Sequence, residues 1–258
     1  MKSSGVLGTP GAFAAARFKD RHRLWKSRVR PWVFVAMLPT GLILLAASRI
    51  WPQQSGFYLG AAIGTFATAF VALLDGPPEH IDRWRRGADG ERATARQLRP
   101  LAKTGWSLYH DVACSRGNID HVAVGPTGVF LLDTKNLGGQ AVIEDGVLRV
   151  AWLEDPDDGY ACDRLANQMK GAAARLHREL REKTRVHVRV EPVVVVWAPF
   201  DQGAVSAEGV NYVHGSQVRS WLESRPTVMN RVAQELVMER WHPEVRGDQA
   251  GTSQSPAS

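Results

Sequence analysis

The sequence predicts an α/β domain with a mixed central sheet flanked by helices, preceded by a hairpin of two apolar helices. Two long uncharged runs near the N-terminus predict the hairpin. Beyond them, short β-branched runs separated by glycine-containing turns alternate with amphipathic helical segments, an order typical of α/β domains. The predicted organisation is a basic arm at 1–31, the helical hairpin at 32–74, the α/β domain at 75–245 and a disordered tail at 246–258.

The net charge of +6 comes from the arm rather than from the α/β domain. Residues 1–31 hold eight Lys and Arg side chains against Asp20 alone, whereas from Asp75 onward there are 23 basic and 25 acidic side chains. The basic pI therefore does not by itself indicate a nucleic-acid-binding domain. The two cysteines lack metal-site spacing, which disfavours a structural zinc site.

The hairpin is predicted to cross a membrane. Residues 32–48 and 57–74 carry no charge, and at 1.5 Å per residue each run covers roughly 26 Å, the short end of what a hydrocarbon core requires. The basic arm precedes the first run and only Arg49 lies in the turn, so both termini and the α/β domain are expected on the cytoplasmic side of a multi-pass protein of the cell membrane. The arm is expected to contact anionic membrane lipids. A buried helical hairpin of a soluble protein is the alternative.

The α/β domain is predicted to begin with a helix at 89–98, capped by Asp89 and carrying Glu91 in its first turn. Two β-branched runs joined by Gly125-Pro-Thr-Gly128 predict a β-hairpin. Apolar residues at three- and four-residue spacing predict a later helix. The remaining predicted elements are a strand at 106–112, the hairpin strands at 119–125 and 129–136, a second hairpin at 141–154, the later helix at 160–182, strands at 189–197 and 210–213, and closing helices within 216–241.

The first hairpin carries the residues that indicate chemistry. If Gly125 to Gly128 form the turn, Asp120 stands directly opposite Asp133, although a bulge would shift this register by one residue. Opposed carboxylates are destabilising, and a hard divalent cation such as Mg²⁺ or Mn²⁺ would remove the repulsion. Lys135 projects from the same face as Asp133 because side chains alternate along a strand.

Two acids and an ammonium group in one patch suit phosphodiester hydrolysis. A metal polarises the phosphate and activates water, and a lysine stabilises the developing charge. The alternative is that Lys135 forms only a structural salt bridge with Asp120 or Asp133 at the edge of the sheet.

At these residues the sequence resembles the nuclease-related domain (NERD) family of the PD-(D/E)XK nuclease-like superfamily. The resemblance begins at Gly90-Glu91, continues through Ile119-Asp120-His121, the Gly125–Phe130 turn and Asp133-Thr-Lys-Asn136, and extends more loosely to about residue 200. It implies a restriction-endonuclease-like fold. The roles it implies are metal ligation by Asp120, Asp133 and the backbone carbonyl of Thr134, catalysis by Lys135, a further site carboxylate at Glu91, and substrate or site support from Gln168.

Three of these positions also have simpler interpretations. Glu91 would suit the first turn of a helix, where an acid complements the helix dipole. Gln168 would suit a solvated helix face. His121 points to the face opposite Asp120, where a packed core histidine is expected.

Three functions follow from this sequence. The first is a membrane-anchored, metal-dependent nuclease acting on nucleic acid, with DNA as the expected substrate. The second is a catalytically silent nucleic-acid-binding or interaction module on the inner membrane face, which the near-neutral domain charge favours. The third is a membrane assembly factor, against which both apolar runs lack an ionisable residue.

Overall fold

The computed structural model of the protein describes residues 5–74, 79–114, 117–152 and 158–245. The chain divides into two compact units, one formed by residues 1–15 together with 86–258 and the other by residues 16–85. The Asp75-Gly-Pro-Pro linker and the 246–258 tail lie outside the described residues. The helices are Ala12–Ile50 (α1), Ser55–Leu74 (α2), Glu79–Leu98 (α3), Leu165–Thr184 (α4), Val218–Ser224 (α5) and Arg231–Arg240 (α6).

The smaller unit contains most of α1, all of α2 and a short 3-10 turn between them at Pro52–Gln54. Helix α1 continues through Pro31 and Pro39. Phe66 of α2 packs so close to Gly41 of α1 that a Cβ at Gly41 would lie 2.9 Å from its ring. Both predicted apolar runs are therefore helical, and the predicted turn joins them.

The apolar side chains of this unit are largely exposed, among them Trp32, Ile43 and Phe57. Over the described residues, however, no helix combines the length and apolarity needed to cross a membrane. The predicted pair of transmembrane helices at 32–48 and 57–74 is therefore unsupported.

The larger unit contains a seven-stranded mixed sheet of order β1-β2-β3-β4-β8-β10-β9 and a three-stranded sheet of order β5-β6-β7. In the large sheet β2, β3 and β4 are antiparallel neighbours, and β4, β8 and β10 are parallel. The strands are Val6–Leu7 (β1), Ser107–Cys114 (β2), Gly117–Gly125 (β3), Gly128–Asn136 (β4), Gln140–Glu144 (β5), Val147–Ala151 (β6), Gly159–Ala161 (β7), Val190–Trp197 (β8), Ala204–Ala207 (β9) and Val210–His214 (β10).

Helices cover both faces of the large sheet. Leu176 of α4 and Val237 of α6 pack in one core with Leu131, while Leu98 of α3 and Leu222 of α5 pack in a second core on the other side. Strand β8 lies between the cores, and its residues Val193–Val196 are fully buried, as its uninterrupted apolar run predicts. The predicted α/β fold with a mixed central sheet flanked by helices is confirmed.

The register of the β3–β4 hairpin is as predicted. Val124 pairs with Val129, and the ladder continues to His121 opposite Leu132. Asp120 and Asp133 follow immediately after the last pair of this ladder. The register therefore brings the two aspartates to the same level of the sheet.

Two helix starts differ from the prediction. Helix α3 begins at Glu79 and not at Asp89, because the helical spacing continues upstream of the predicted cap. Helix α4 begins at Leu165 and not near Tyr160, because Gly159–Ala161 pairs with β6 as an edge strand. The first difference removes Glu91 from a first helical turn.

The N-terminal segment contributes a strand that the sequence does not predict. Val6–Leu7 runs parallel to β2, with Val6 opposite Leu108 and Leu7 opposite Tyr109. The backbone N–H of Leu108 donates to the carbonyl oxygen of Gly5 at 3.0 Å. Residues 5–15 are thus part of the α/β unit although they precede the helical hairpin in the chain.

Candidate functional site

Lys135 and Asp133 form a close ion pair at the C-terminal end of β4. Lys135 Nζ lies 2.6 Å from Asp133 Oδ2, and both side chains are about one-third exposed or less. Burial alone would lower the pKa of Lys135, but the carboxylates of Asp133 and Asp120 outweigh it and raise that pKa. Lys135 is therefore a fixed ammonium group rather than a proton acceptor at neutral pH.

Asp120 lies beside this pair and is partly buried. Its Oδ2 accepts a hydrogen bond of 2.8 Å from the backbone N–H of Thr134. Burial and the charge of Asp133 raise the pKa of Asp120 to about 7, against the opposing effects of Lys135 and the Thr134 N–H. The predicted proximity of Asp120, Asp133 and Lys135 is therefore present in the structure.

A close approach of α3 to β4 places Glu91 at the same site. A Cβ at Gly90 would lie 2.9 Å from Asn136 Cβ and 3.1 Å from Thr134 Cγ2, so only glycine allows this packing without displacement. Thr94 Oγ1 and Thr134 Oγ1 form a 3.0 Å hydrogen bond across the same contact. The helix is thereby held on the strand that carries Asp133.

Glu91 is buried, with 7% of its surface exposed. Burial raises the pKa of Glu91 to about 9, and the carboxylates of Asp120, Asp111 and Asp133 add to the rise. One of its oxygens, Oε2, is buried without a hydrogen-bond partner among the described residues. Because Glu91 lies in the middle of α3, its interpretation as a first-turn acid that complements the helix dipole is wrong.

Asp111 of β2 is a further carboxylate of this cluster and is not among the site residues predicted from the sequence. His110 pairs with His121, and Val112 pairs with Ile119, so Asp111 lies at the level of Asp120. Asp111 is fully buried and has a φ of 56°, which is unusual for a residue other than glycine. If the predicted β3–β4 register had been extended to the antiparallel pairing of β2 with β3, it would have placed Asp111 at the same level as Asp120 and Asp133.

Gln168 belongs to a pocket that opens beside Lys135. This open pocket of about 400 Å³ is also lined by Cys162 and Arg164. Burial raises the pKa of the Cys162 thiol, which disfavours thiolate chemistry there. The structure thus places Gln168 in the same pocket as the ammonium group of Lys135.

His121 is a core residue, as predicted. His121 Nδ1 lies 2.7 Å from His110 Nδ1, and both rings are buried on the face opposite Asp120. Burial lowers the pKa of His110 to about 4 and that of His121 well below its ordinary value. Neither histidine is therefore charged at neutral pH.

The carboxylates are not arranged as a metal-ligand cage. Within the described part of the chain, no three His, Cys, Asp or Glu side chains have a geometry that could hold a metal ion. Asp120 binds the Thr134 N–H, and Asp133 is paired with Lys135. Metal binding at Asp120 and Asp133 would therefore replace existing contacts of both carboxylates.

Residues 86–197 match the model of the nuclease-related domain family, NERD, which belongs to the PD-(D/E)XK-like nuclease superfamily. The matched segment contains Glu91, Asp120, Asp133, Lys135 and Gln168. Comparison with curated proteins and with solved structures gave no match. The resemblance found in the sequence is confirmed, and it indicates a nuclease-like or nucleic-acid-related function.

Proposed function

We propose that the protein is a metal-dependent nuclease that hydrolyses nucleic-acid phosphodiesters, with DNA as its substrate. The observation that carries this proposal is the cluster of Lys135 with Asp120 and Asp133 inside the segment that matches the nuclease-related domain. Clustered groups with strongly shifted pKa values are characteristic of functional sites.

The donor chemistry of the cluster fits Mg²⁺ or Mn²⁺. Carboxylate and carbonyl oxygens are the ligands that these hard cations prefer. Asp120, Asp133 and the backbone carbonyl of Thr134 would hold the ion, and the buried Glu91 Oε2, which has no hydrogen-bond partner in the described part of the chain, offers a further oxygen. A bound cation would favour the ionised forms of Glu91 and Asp120, whose mutual repulsion it would screen. It would activate water and polarise the phosphate.

The protein groups around the ion would position the substrate and stabilise the charge that develops on it. Lys135 keeps its proton because neighbouring carboxylates raise its pKa, so its Nζ donates hydrogen bonds to a phosphate oxygen. The Gln168 amide borders the same pocket and can donate to another substrate oxygen. The 2.6 Å contact between Lys135 and Asp133 belongs to the metal-free protein, and binding of the ion by Asp133 would free Lys135 for the substrate.

Exposed arginines on α3 provide contacts for a nucleic-acid backbone. Arg92 and Arg96 are exposed and four residues apart, so they lie on one side of the helix that carries Glu91. Arg92 also forms an ion pair with Asp89, in which Arg92 Nη2 lies 3.2 Å from Asp89 Oδ1. Phosphate contacts of this type give binding that weakens as the salt concentration rises.

A catalytically silent nucleic-acid-binding or interaction module is the second candidate. The closed Lys135–Asp133 ion pair favours it, because this contact occupies the groups that catalysis requires. The near-neutral charge of the region beyond residue 75 favours it as well.

The decisive experiment is cleavage of plasmid and linear DNA by the full chain in detergent, with Mg²⁺, Mn²⁺ or EDTA. The wild type is expected to cleave only with metal, and Asp120→Ala, Asp133→Ala and Lys135→Ala are expected to remove cleavage. Arg240→Ala, on α6, is the control and should cleave normally. Metal-independent binding of DNA without cleavage would establish the silent module instead. Cleavage by the triple variant would show that the site assignment is wrong.

We further propose that residues 16–85 attach the protein to the cell membrane, with the nuclease-related domain on the cytoplasmic side. Support comes from the exposed apolar side chains of α1 and α2, such as Leu42, Ile43 and Phe70. Basic residues precede this apolar stretch in α1 and suit anionic lipid headgroups.

Attachment is tested by membrane fractionation of cells that express the full chain. The wild type is expected in the membrane pellet after alkaline carbonate extraction, because apolar contacts resist this treatment. The variant with Ile43→Glu and Phe70→Glu is expected in the supernatant, whereas Val232→Glu, an exposed apolar position of the other unit, should stay in the pellet. A wild type released by carbonate would contradict apolar attachment.

A further inference from the structure

The segment 5–15, here called the N-terminal strap, lies along the edge of the sheet next to the carboxylates. It starts as β1, paired with β2, and ends in the first turn of α1. Gly8 rests on the His110 backbone, where a Cβ would lie 2.1 Å from the carbonyl oxygen. The match to the nuclease-related domain begins only at residue 86, so the strap lies outside the matched segment.

Asp111 fastens the strap to the sheet. Its Oδ2 accepts a 2.7 Å hydrogen bond from the backbone N–H of Phe13, in the first turn of α1, and its Oδ1 accepts a 2.7 Å bond from Asn118 Nδ2. A carboxylate at the start of a helix is stabilised by the N–H groups that lack helical partners there. Because both oxygens accept hydrogen bonds from the protein, Asp111 acts as an anchor for the strap and not as a metal ligand.

The strap also contacts the helix that carries Glu91. A Cβ at Gly11 would lie 3.0 Å from the carbonyl oxygen of Ala88, about one turn before Glu91 on α3. The backbone N–H of Gly11 interacts with the Glu91 carboxylate and favours its charged form. Meanwhile Glu91 Oε2 remains buried without a partner among the described residues. The strap thus borders Glu91 and leaves one carboxylate oxygen available to a ligand.

We propose that the N-terminal strap, fastened by Asp111, is the positioning element that holds Glu91 in the metal site. This inference rests on the proposed metal-dependent function. Asp111 and Gly11 act through Glu91, as outer-shell groups that orient a ligand and are not ligands themselves. The site is therefore assembled from two parts of the chain that are about a hundred residues apart in sequence.

Gly8→Ala tests the proposal, with Gly105→Ala as its matched control. Both glycines have a positive φ, 86° and 89°, so both substitutions carry the same backbone strain. Of the two, Gly8 faces a neighbour, whereas no atom of the described residues lies within 4 Å of a Cβ at Gly105. The strap should therefore be displaced in Gly8→Ala alone.

The measurement is the affinity of the full chain for Mn²⁺ in detergent, by titration calorimetry. Loss of an outer-shell partner costs about 10- to 100-fold in metal affinity, and this weakening is expected in Gly8→Ala but not in Gly105→Ala. Asp111→Asn, which keeps the side-chain shape, should also lower the Mn²⁺ affinity. This second variant tests the proposal if Gly8→Ala does not fold. In a Glu91→Gln background the Gly8→Ala effect should disappear, because the residue that the strap positions is already lost.

Hydrogen exchange of the metal-free proteins separates this proposal from the proposed function. The Phe13 and Glu91 amides should be protected in wild type and in Gly105→Ala, and should lose protection in Gly8→Ala. If the wild type binds no Mn²⁺, the metal-dependent function fails, and unchanged protection in Gly8→Ala would then overturn the strap as well. If protection is lost while Mn²⁺ affinity is unchanged, or if the Gly8→Ala effect persists with Glu91→Gln, the strap is a structural edge strand only and the proposal is wrong.

Discussion

The two ends of the β3–β4 hairpin have opposite character. Next to the turn, Val124, Val129 and Phe130 are fully buried among apolar side chains. At the open end, Asp120 and Asp133 meet at the same level, and Lys135 lies against one of them. The turn end thus stabilises the fold, while the open end carries partly buried charges that a folding requirement alone would not select.

The largest change in the free energy of unfolding is expected from Phe130→Ala, at the turn end of the hairpin. Phe130 has no exposed surface and packs against Trp106 and Trp221, with ring centroids 5.9 and 6.1 Å away. Removing a buried aromatic side chain costs about 3–5 kcal/mol in free energy of unfolding. Chemical denaturation of the full chain in detergent checks this, with Val232→Ala, 65% exposed, as a nearly silent control. A loss below about 1 kcal/mol would contradict the assignment of this end as the core.

The open end should make the metal-free protein less stable as pH rises. Glu91 has its pKa raised to about 9, so the folded state holds a proton that the unfolded state releases, and stability falls as pH approaches that value. His110 and His121, whose burial lowers their pKa values, act in the opposite direction below about pH 6.5. Between about pH 7 and 9 a loss on the order of 2 kcal/mol is expected. Thermal melts in EDTA at several pH values should show this fall in stability for the wild type and a smaller fall for Glu91→Gln. If stability depends on pH equally in both proteins, Glu91 is not the group whose pKa is raised.

Metal should stabilise the open end in wild type but not without Asp120. At ten times the dissociation constant, a cation that binds only the folded state adds about 1.4 kcal/mol. Asp120→Asn should lose most of that gain. Thermal melts of both proteins with Mg²⁺ and with EDTA measure it, and an equal response in both would exclude Asp120 as a ligand.

The smallest effect is expected from Asp120→Asn in the metal-free protein. Because the substitution removes one of two facing charges and keeps the side-chain size, it should leave the stability unchanged or raise it by up to about 1 kcal/mol. A purely structural salt bridge with Lys135 predicts a loss of stability instead. The same melts in EDTA decide between the two outcomes.

The hairpin register was predictable because turn chemistry and β-branched residues act locally. Gly125 and Gly128 define the turn, and pairing across the strands then places Asp120 and Asp133 together without further information. The start of α3 was not predictable from Asp89, because a good capping residue can also lie within a longer helix. The ion pair of Lys135 with Asp133 agrees with both sequence interpretations, and only the chemical tests above distinguish them.

The strap, and the contact by which Asp111 holds it, could not be predicted from sequence patterns. Val6–Leu7 is too short to show a strand period, and its partner strand starts at Ser107, on the far side of the helical hairpin. Two parallel strands that are distant in the chain are not joined by a hairpin turn. Their pairing therefore leaves no turn motif in the sequence. Asp111 lies in a positive-φ conformation that nothing in its neighbouring residues requires.

The pairing of β1 with β2 also sets the order in which the protein can mature during synthesis. Val6 leaves the ribosome roughly 5–20 s before Leu108, its partner, at a typical elongation rate of about 5–20 residues per second. Both apolar helices are translated in that interval, before the edge of the sheet can close. The α/β unit is therefore completed only after the helical hairpin has emerged, so the carboxylate cluster is assembled after the segment proposed to attach the protein to the membrane.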